Sequence, residues 1–155
     1  MKNIIGLNAD KAKKLADKLN ALLANYQLFY INTRGFHWNI TGDKFFELHL
    51  KFEEIYNDAL LKVDEIAERI RTLDHTPLHS FSDYVKHADI REITGVADGK
   101  DAMKQVIAGL TILIQKERAL LDLAKEINDE GTITMLTDYI RQQEKLVWMY
   151  SAYLK

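Results

Sequence analysis

Apolar residues recur at helical spacing through most of the chain. In the first segment they follow one another at steps of four and three residues, which places them on one helix face. They are Leu15, Leu19, Leu22, Tyr26 and Phe29. This stripe predicts helix A over residues 9–34, capped by Asn8 or Asp10 and ended by Gly35.

A second stripe with the same spacing runs from Phe45 to Leu73 and predicts helix B. A turn at 41–43 precedes it, and it stops just before Pro77, the single proline of the chain. The pattern then breaks over residues 78–96. Within that stretch, residues 80–87 are predicted to form a short helix.

Helical spacing resumes after Asp98, which is suited to cap helix C, and continues to about residue 129. Gly131 is predicted to end helix C, and Thr132 to cap helix D, which continues through Tyr150. The sequence therefore predicts four long helices, with no strand and no linker that would divide the chain.

The connections indicate how these helices are arranged. Short turns join A to B and C to D, which favours antiparallel neighbours, whereas the B/C connection is long enough to cross the bundle. An all-α four-helix bundle with one long crossover that contains a short helix is the ferritin-like arrangement. We predict that residues 1–155 form a single domain of this class.

Composition narrows the possible functions. The 155 residues include 21 Lys and Arg against 23 Asp and Glu, a net charge of -2, so the chain lacks the basic excess typical of duplex-DNA binders. There is no cysteine, which leaves His, Asp and Glu as the available metal ligands. The longest apolar run, Val106–Ile114, is too short to span a membrane, and no signal peptide is recognisable. We expect a soluble, cytoplasmic protein.

Helix B carries two pairs of candidate metal ligands. His49 and Glu53 are four residues apart, as are Asp64 and Glu68, and all four positions fall on one face of the helix. The two pairs are separated by ~22 Å at 1.5 Å per residue, so one ion cannot bind both pairs of the same chain.

Two antiparallel copies of helix B, one from each of two chains, can bring the two kinds of ligand pair together. A twofold axis near Asp58–Ala59 would place His49 and Glu53 of one chain opposite the second pair of its partner, giving two sites per homodimer. His37 can supply another nitrogen, and a mixed His/carboxylate set suits Fe, Mn or Zn. The alternative is that these acids form a solvated face. No Glu-x-x-His motif of an in-bundle di-iron site is present.

Four segments together resemble the Dps family, the ferritin-like mini-ferritins named as DNA-binding proteins from starved cells. They are GFHWNITGDKFFELH at 35–49, FEE at 52–54, DEIAERI at 64–70 and WMYSAYL at 148–154. The resemblance implies a hollow homododecamer built from twofold dimers. It also implies an iron-oxidising enzyme that uses hydrogen peroxide preferentially, converts Fe2+ to Fe3+ and stores the ferric mineral against oxidative stress.

The resemblance also implies a ligand set. His37, His49 and Glu53 match the family's ligands from one subunit, and Asp64 and Glu68 match those from its partner. Glu53 stands where the family commonly has Asp, which keeps the charge and extends the reach. Direct and water-mediated ligation by Glu53 therefore both remain open.

Other residues carry weaker signals. Trp38, next to His37, has two interpretations, a sacrificial electron donor or packing at the dimer interface. The C/D turn is rich in acids that either line an iron entry pore or form a solvated turn: Glu126, Asp129, Glu130 and Asp138. The remaining histidines, in the B/C connection, fit no metal motif.

DNA binding is not expected to be strong. Lys2 is the only lysine before helix A, and the lysines within that helix are interleaved with acids. Two alternatives to an iron-oxidising enzyme remain: a DNA-compacting nucleoid protein with little such activity, and a helical oligomer without chemistry.

Overall fold

The computed structural model describes residues 1–155 and contains five helices. They are α1 (Ala9–Asn39), α2 (Phe45–Thr72), α3 (Phe81–His87), α4 (Gly99–Glu126) and α5 (Glu130–Leu154). Apart from two isolated bridges there is no β-structure. The prediction of four long helices with a short helix in the B/C crossover is confirmed. None of the helices combines the length and apolarity that crossing a bilayer requires.

The helices pack as two hairpins, α1 with α2 and α4 with α5, and α1 also contacts α3 and α4. The crossover carries the chain back to the end of the bundle where α2 begins, since the Thr41 amide donates to the Ala97 carbonyl at 2.9 Å. Helices α2 and α4 therefore start at the same end and run parallel. The predicted stripes fill the space between the helices with fully buried side chains such as Leu19, Phe52 and Leu113.

Side chains cap the starts of three helices, and two of these caps, Asn8 and Asp98, lie at predicted positions. Asn8, Ser80 and Asp98 each accept a hydrogen bond from the backbone amide three residues ahead, at the starts of α1, α3 and α4.

Gly35 does not end the first helix, which continues to Asn39. The prediction was wrong because tertiary contacts outweigh the low helix propensity of glycine. Phe36 and His37, directly after the glycine, are both buried, and the helix ends only where Ile40 takes an extended conformation.

The boundary between α4 and α5 also differs from the prediction. Helix α4 ends at Glu126, and Asn128 takes a left-handed conformation with φ of 58°. Asp129, and not Thr132, caps α5, and Gly131 lies inside its first turn. A Cβ at Gly131 would lie 2.7 Å from Nη1 of Arg69, so a larger residue there would displace the guanidinium from its present position.

Candidate metal centre

His37 and His49 meet where α1 turns into α2. Their imidazole rings stack with centroids 3.8 Å apart and planes within 11°. His37 is buried in the last turn of α1, and His49 is half-buried in the first turns of α2. The tight turn between the two helices, at Gly42 with φ of 111°, brings together two side chains that are twelve positions apart.

Reciprocal hydrogen bonds place a proton on Nδ1 of both rings. Nδ1 of His37 lies 2.7 Å from the carbonyl oxygen of His49, and Nδ1 of His49 lies 2.8 Å from the carbonyl oxygen of His37. A carbonyl oxygen only accepts, so each Nδ1 must carry the proton and donate. In the neutral rings each Nε2 then keeps its lone pair, and this tautomer is the one that binds a metal through Nε2.

Neighbouring aromatic rings hold the two imidazoles in place. Phe45 stacks on His49 with centroids 5.0 Å apart, and Tyr56 meets His37 edge-on at 5.2 Å. Rings locked in this way lose little further freedom when they bind an ion.

The candidate carboxylates are the more accessible part of the site. Glu53 is half-buried, one turn beyond His49, while Asp64 and Glu68 are exposed further along α2. No three His, Asp or Glu side chains of a single chain converge as an ion-binding group. The fold brings the two histidines together, whereas Asp64 and Glu68 lie further along α2, away from this pair.

The exposed face of α2 that carries these acids also carries large apolar side chains. Phe46 is 75% exposed, Leu50 59% and Leu61 66%. Single exposed apolar residues are ordinary, but a row along one helix face is typical of a surface that contacts another protein.

Arg34, about one turn before His37 on α1, forms a cluster with three aromatic rings that the sequence did not predict. The Arg34 guanidinium carbon lies 4.9 Å from the Trp38 ring centroid, 5.5 Å from that of Tyr56 and 5.9 Å from that of Tyr30. Its Nη1 donates to the Tyr30 hydroxyl at 2.6 Å. The available signal was the spacing of Tyr30, Arg34 and Trp38, four residues apart on one helix face.

A buried polar network in the bundle centre was also missed. The Tyr26 hydroxyl donates to Oε2 of Glu117 at 2.6 Å and accepts from Nε2 of Gln143. Burial raises the pKa of Glu117 to about 8 and that of Tyr26 well above its usual value. Glu117 occupies a position of the apolar stripe in helix α4, which was the sequence signal for a buried carboxyl group.

The acids of the C/D turn do not share one environment. Asp129 is buried, ion-paired with Arg69 at 2.5 Å, and occupied in capping α5. Its carboxylate is a structural element of the turn. The other three, Glu126, Glu130 and Asp138, are exposed. The histidines of the crossover do not join the His37–His49 pair.

Comparisons with known proteins define the class. A sequence model described as the ferritin-like domain matches residues 16–155. The crystal structure of a Dps protein from Vibrio cholerae O1, described as a member of a broad superfamily of ferritin-like diiron-carboxylate proteins, superimposes with a TM-score of 0.98. That protein is 57% identical, with 99% of this chain and 97% of the other covered. The fold is thus that of a ferritin-like helical bundle.

Two further relatives narrow the assignment. The DNA protection during starvation protein of Porphyromonas gingivalis is 42% identical over 97% of this chain and 94% of its own length. A Dps crystal structure from Bacillus brevis matches with a TM-score of 0.92 and 32% identity over the full length of both chains. The chain belongs to the Dps family of ferritin-like proteins, which confirms the resemblance seen in the sequence.

Proposed function

We propose that this protein is a ferroxidase and iron-storage mini-ferritin, with Fe2+ and hydrogen peroxide as its substrates. The observation that carries the proposal is the stacked His37–His49 pair, whose two Nε2 lone pairs are left free by the reciprocal carbonyl hydrogen bonds. Such a preformed nitrogen pair beside carboxylates suits iron.

We infer that the site is completed across a twofold interface. Because one chain assembles no group of three ligands, the remaining oxygen ligands must come from elsewhere. The exposed α2 face offers Asp64 and Glu68 together with apolar side chains for contact with a second copy. Twelve subunits built from such dimers would form the hollow shell that the family resemblance implies, working in the cytoplasm.

The chemistry requires two ferrous ions for each peroxide. Each Fe2+ gives one electron, the O–O bond breaks, and the two peroxide oxygens with two water molecules yield two ferric oxyhydroxide units and four protons. Carboxylate ligands stabilise Fe3+ relative to Fe2+ and so favour the oxidation. Peroxide consumed in this two-electron reaction releases no hydroxyl radical, which links iron storage to protection from oxidative stress.

Iron loading tests the proposal. Under anaerobic conditions, the assembled protein mixed with Fe2+ and peroxide should oxidise iron rapidly and retain it as ferric mineral. The double variant His49→Ala with Asp64→Ala should be slower by roughly 100-fold or more, because loss of even an outer-shell partner of a metal ligand costs about 10–100-fold. His87→Ala with Asp101→Ala, which removes the same residue types from exposed positions elsewhere, should match the wild type. Equally fast oxidation by all three proteins would mean that the site assignment is wrong, and oxidation no faster than that of free Fe2+ in all three would favour an oligomer without iron chemistry.

The rival function, DNA compaction, is disfavoured by the N-terminal segment. Residues 1–8 are folded back on themselves: the Ala9 amide donates to the Met1 carbonyl at 3.0 Å, and Lys2 forms a bridge with Asn8. This segment carries Lys2 as its only basic side chain on a protein of net charge -2.

We therefore expect no retarded band with duplex DNA at pH 7 and low salt. A matched variant with four added lysines before Met1 should produce one. Tight binding by the wild-type protein in this mobility-shift assay would support the DNA-compacting function instead.

A further inference from the structure

A line of aromatic side chains leads from the candidate metal centre into the bundle core. The His37 ring meets Tyr56 edge-on at 5.2 Å, and Tyr56 meets Tyr30 edge-on at 5.9 Å. Tyr30 and Tyr26 are successive residues on one face of α1, with Cβ atoms about 5–6 Å apart. Two ring contacts and one helical turn therefore connect His37 to Tyr26, which is 1% exposed.

The inner end of this line holds a base. Tyr26 donates its hydroxyl hydrogen to Oε2 of Glu117 at 2.6 Å, and Glu117 is fully buried. A phenol that loses an electron also loses its proton, so a preformed acceptor makes the oxidation easier. Burial raises the pKa of Glu117 to about 8, so the group is ionised and can accept a proton only above about this pH, where it is a stronger proton acceptor than a carboxylate in water.

The outer end of the line holds a positive charge. Arg34 forms no salt bridge with an acid, and its guanidinium lies within 5.9 Å of the ring centroids of Tyr30, Tyr56 and Trp38. A cation over a ring is attracted to its electrons and disfavours their removal. Electrostatics therefore make Tyr26, which lies beside the carboxylate, easier to oxidise than the three aromatic rings beside Arg34.

We propose that Tyr26 is a reserve electron donor to the interfacial site, with Tyr30 and Tyr56 as the relay and Glu117 as the proton acceptor. The proposal rests on the ferroxidase function above. It applies when peroxide meets a site that holds one ferrous ion in place of two. Trp38, the donor considered from the sequence, is 57% exposed and lies closest of the three rings to the Arg34 charge.

The electrons and atoms of the step balance. Fe2+ gives one electron to peroxide and becomes Fe3+; Tyr26 gives the second through Tyr30 and Tyr56 and becomes a neutral phenoxyl radical. The phenolic proton moves to the Glu117 carboxylate, the O–O bond breaks, and two protons from solvent complete two water molecules. A site with one iron thus reduces peroxide fully and releases no hydroxyl radical.

Freeze-quench electron paramagnetic resonance of the assembled protein tests the relay. The sample is kept anaerobic above pH 8, where Glu117 is largely ionised, and receives less than one Fe2+ per site and then excess peroxide. Wild-type protein made with ring-deuterated tyrosine should show an altered radical signal, whereas protein made with deuterated tryptophan should not. This labelling leaves the fold unchanged.

Variants then locate the radical. Tyr26→Phe and Glu117→Gln should each lose most of the tyrosyl signal and release more spin-trapped hydroxyl radical. Tyr150→Phe is the matched control, because Tyr150 is buried in the same bundle without a carboxylate hydrogen bond, and it should keep the signal.

The possible failures are distinguishable. If iron is oxidised by peroxide but the radical resides on tryptophan, or survives in Tyr26→Phe, the relay is overturned and the ferroxidase function stands. If the wild-type protein oxidises no iron with peroxide, both fail. With two Fe2+ per site, Tyr26→Phe should oxidise iron at the wild-type rate, since both electrons then come from iron.

Discussion

Coassembly of two inactive variants should restore about a quarter of the iron-oxidising sites. Neither His49→Ala nor Asp64→Ala alone should oxidise Fe2+ rapidly with peroxide. In a dimer with one copy of each, one site carries both defects and the other carries none. Half of randomly formed dimers are of this mixed kind, so about one site in four is intact.

The measurement is the amplitude of the fast phase in stopped-flow oxidation, for shells refolded from an equal mixture. A mixture of His37→Ala and His49→Ala is the matched control. Both histidines come from the same subunit, so every site of a mixed dimer keeps one defect and no fast phase should return. Equal recovery in the two mixtures, or none in the first, would show that the site is not shared as proposed.

The wild-type protein should become less stable as the pH rises towards 8, and Glu117→Gln should abolish this decrease. Burial raises the pKa of Glu117 from 4.5 to about 8, so between these pH values the folded state binds a proton that the unfolded state has released. Stability from this group is complete below about pH 4.5, falls as the pH rises, and is lost above about pH 8. The pKa difference corresponds to a loss on the order of 3–5 kcal/mol per subunit.

Thermal unfolding of the iron-free protein at several pH values measures this effect. Glutamine is neutral and nearly isosteric, and it still accepts the hydrogen bond from Tyr26. The variant should therefore unfold at a higher temperature than the wild type at pH 8, with a smaller difference at pH 5. Glu92→Gln, which changes an exposed glutamate, should follow the wild-type curve. A variant as sensitive to pH as the wild type would mean that Glu117 ionises freely in the fold.

The sequence predicted most of the architecture because helix formation here depends on local periodicity. The apolar stripes, the caps at Asn8 and Asp98 and the single proline are local features, and each was found where predicted. The errors at Gly35 and Gly131 have one cause. Glycine has low helix propensity, but tertiary contacts keep both glycines inside a helix. Phe36, next to Gly35, is buried, and the Arg69 guanidinium packs against Gly131.

The candidate ligands were also visible in the sequence, since residues four apart on a helix share a face. Spacing along α2 brought out His49, Glu53, Asp64 and Glu68 and showed that one ion cannot bind both pairs of one chain. It could not show that the rings of His37 and His49 stack, or that each donates to the other's carbonyl oxygen.

What the sequence by itself determined was the helical class, the restriction of the candidate metal ligands to nitrogen and oxygen donors, and the side of α2 that carries four of these candidates. These depend on composition and on distances along one helix, which a linear pattern contains. Only the tertiary structure determined that both Nδ1 atoms donate to carbonyl oxygens, that the Arg34 guanidinium lies near three aromatic rings, and that Tyr26 donates a hydrogen bond to Glu117. Tyr26 and Glu117 are 91 positions apart, and only the packing of α1 against α4 sets the distance between their oxygens.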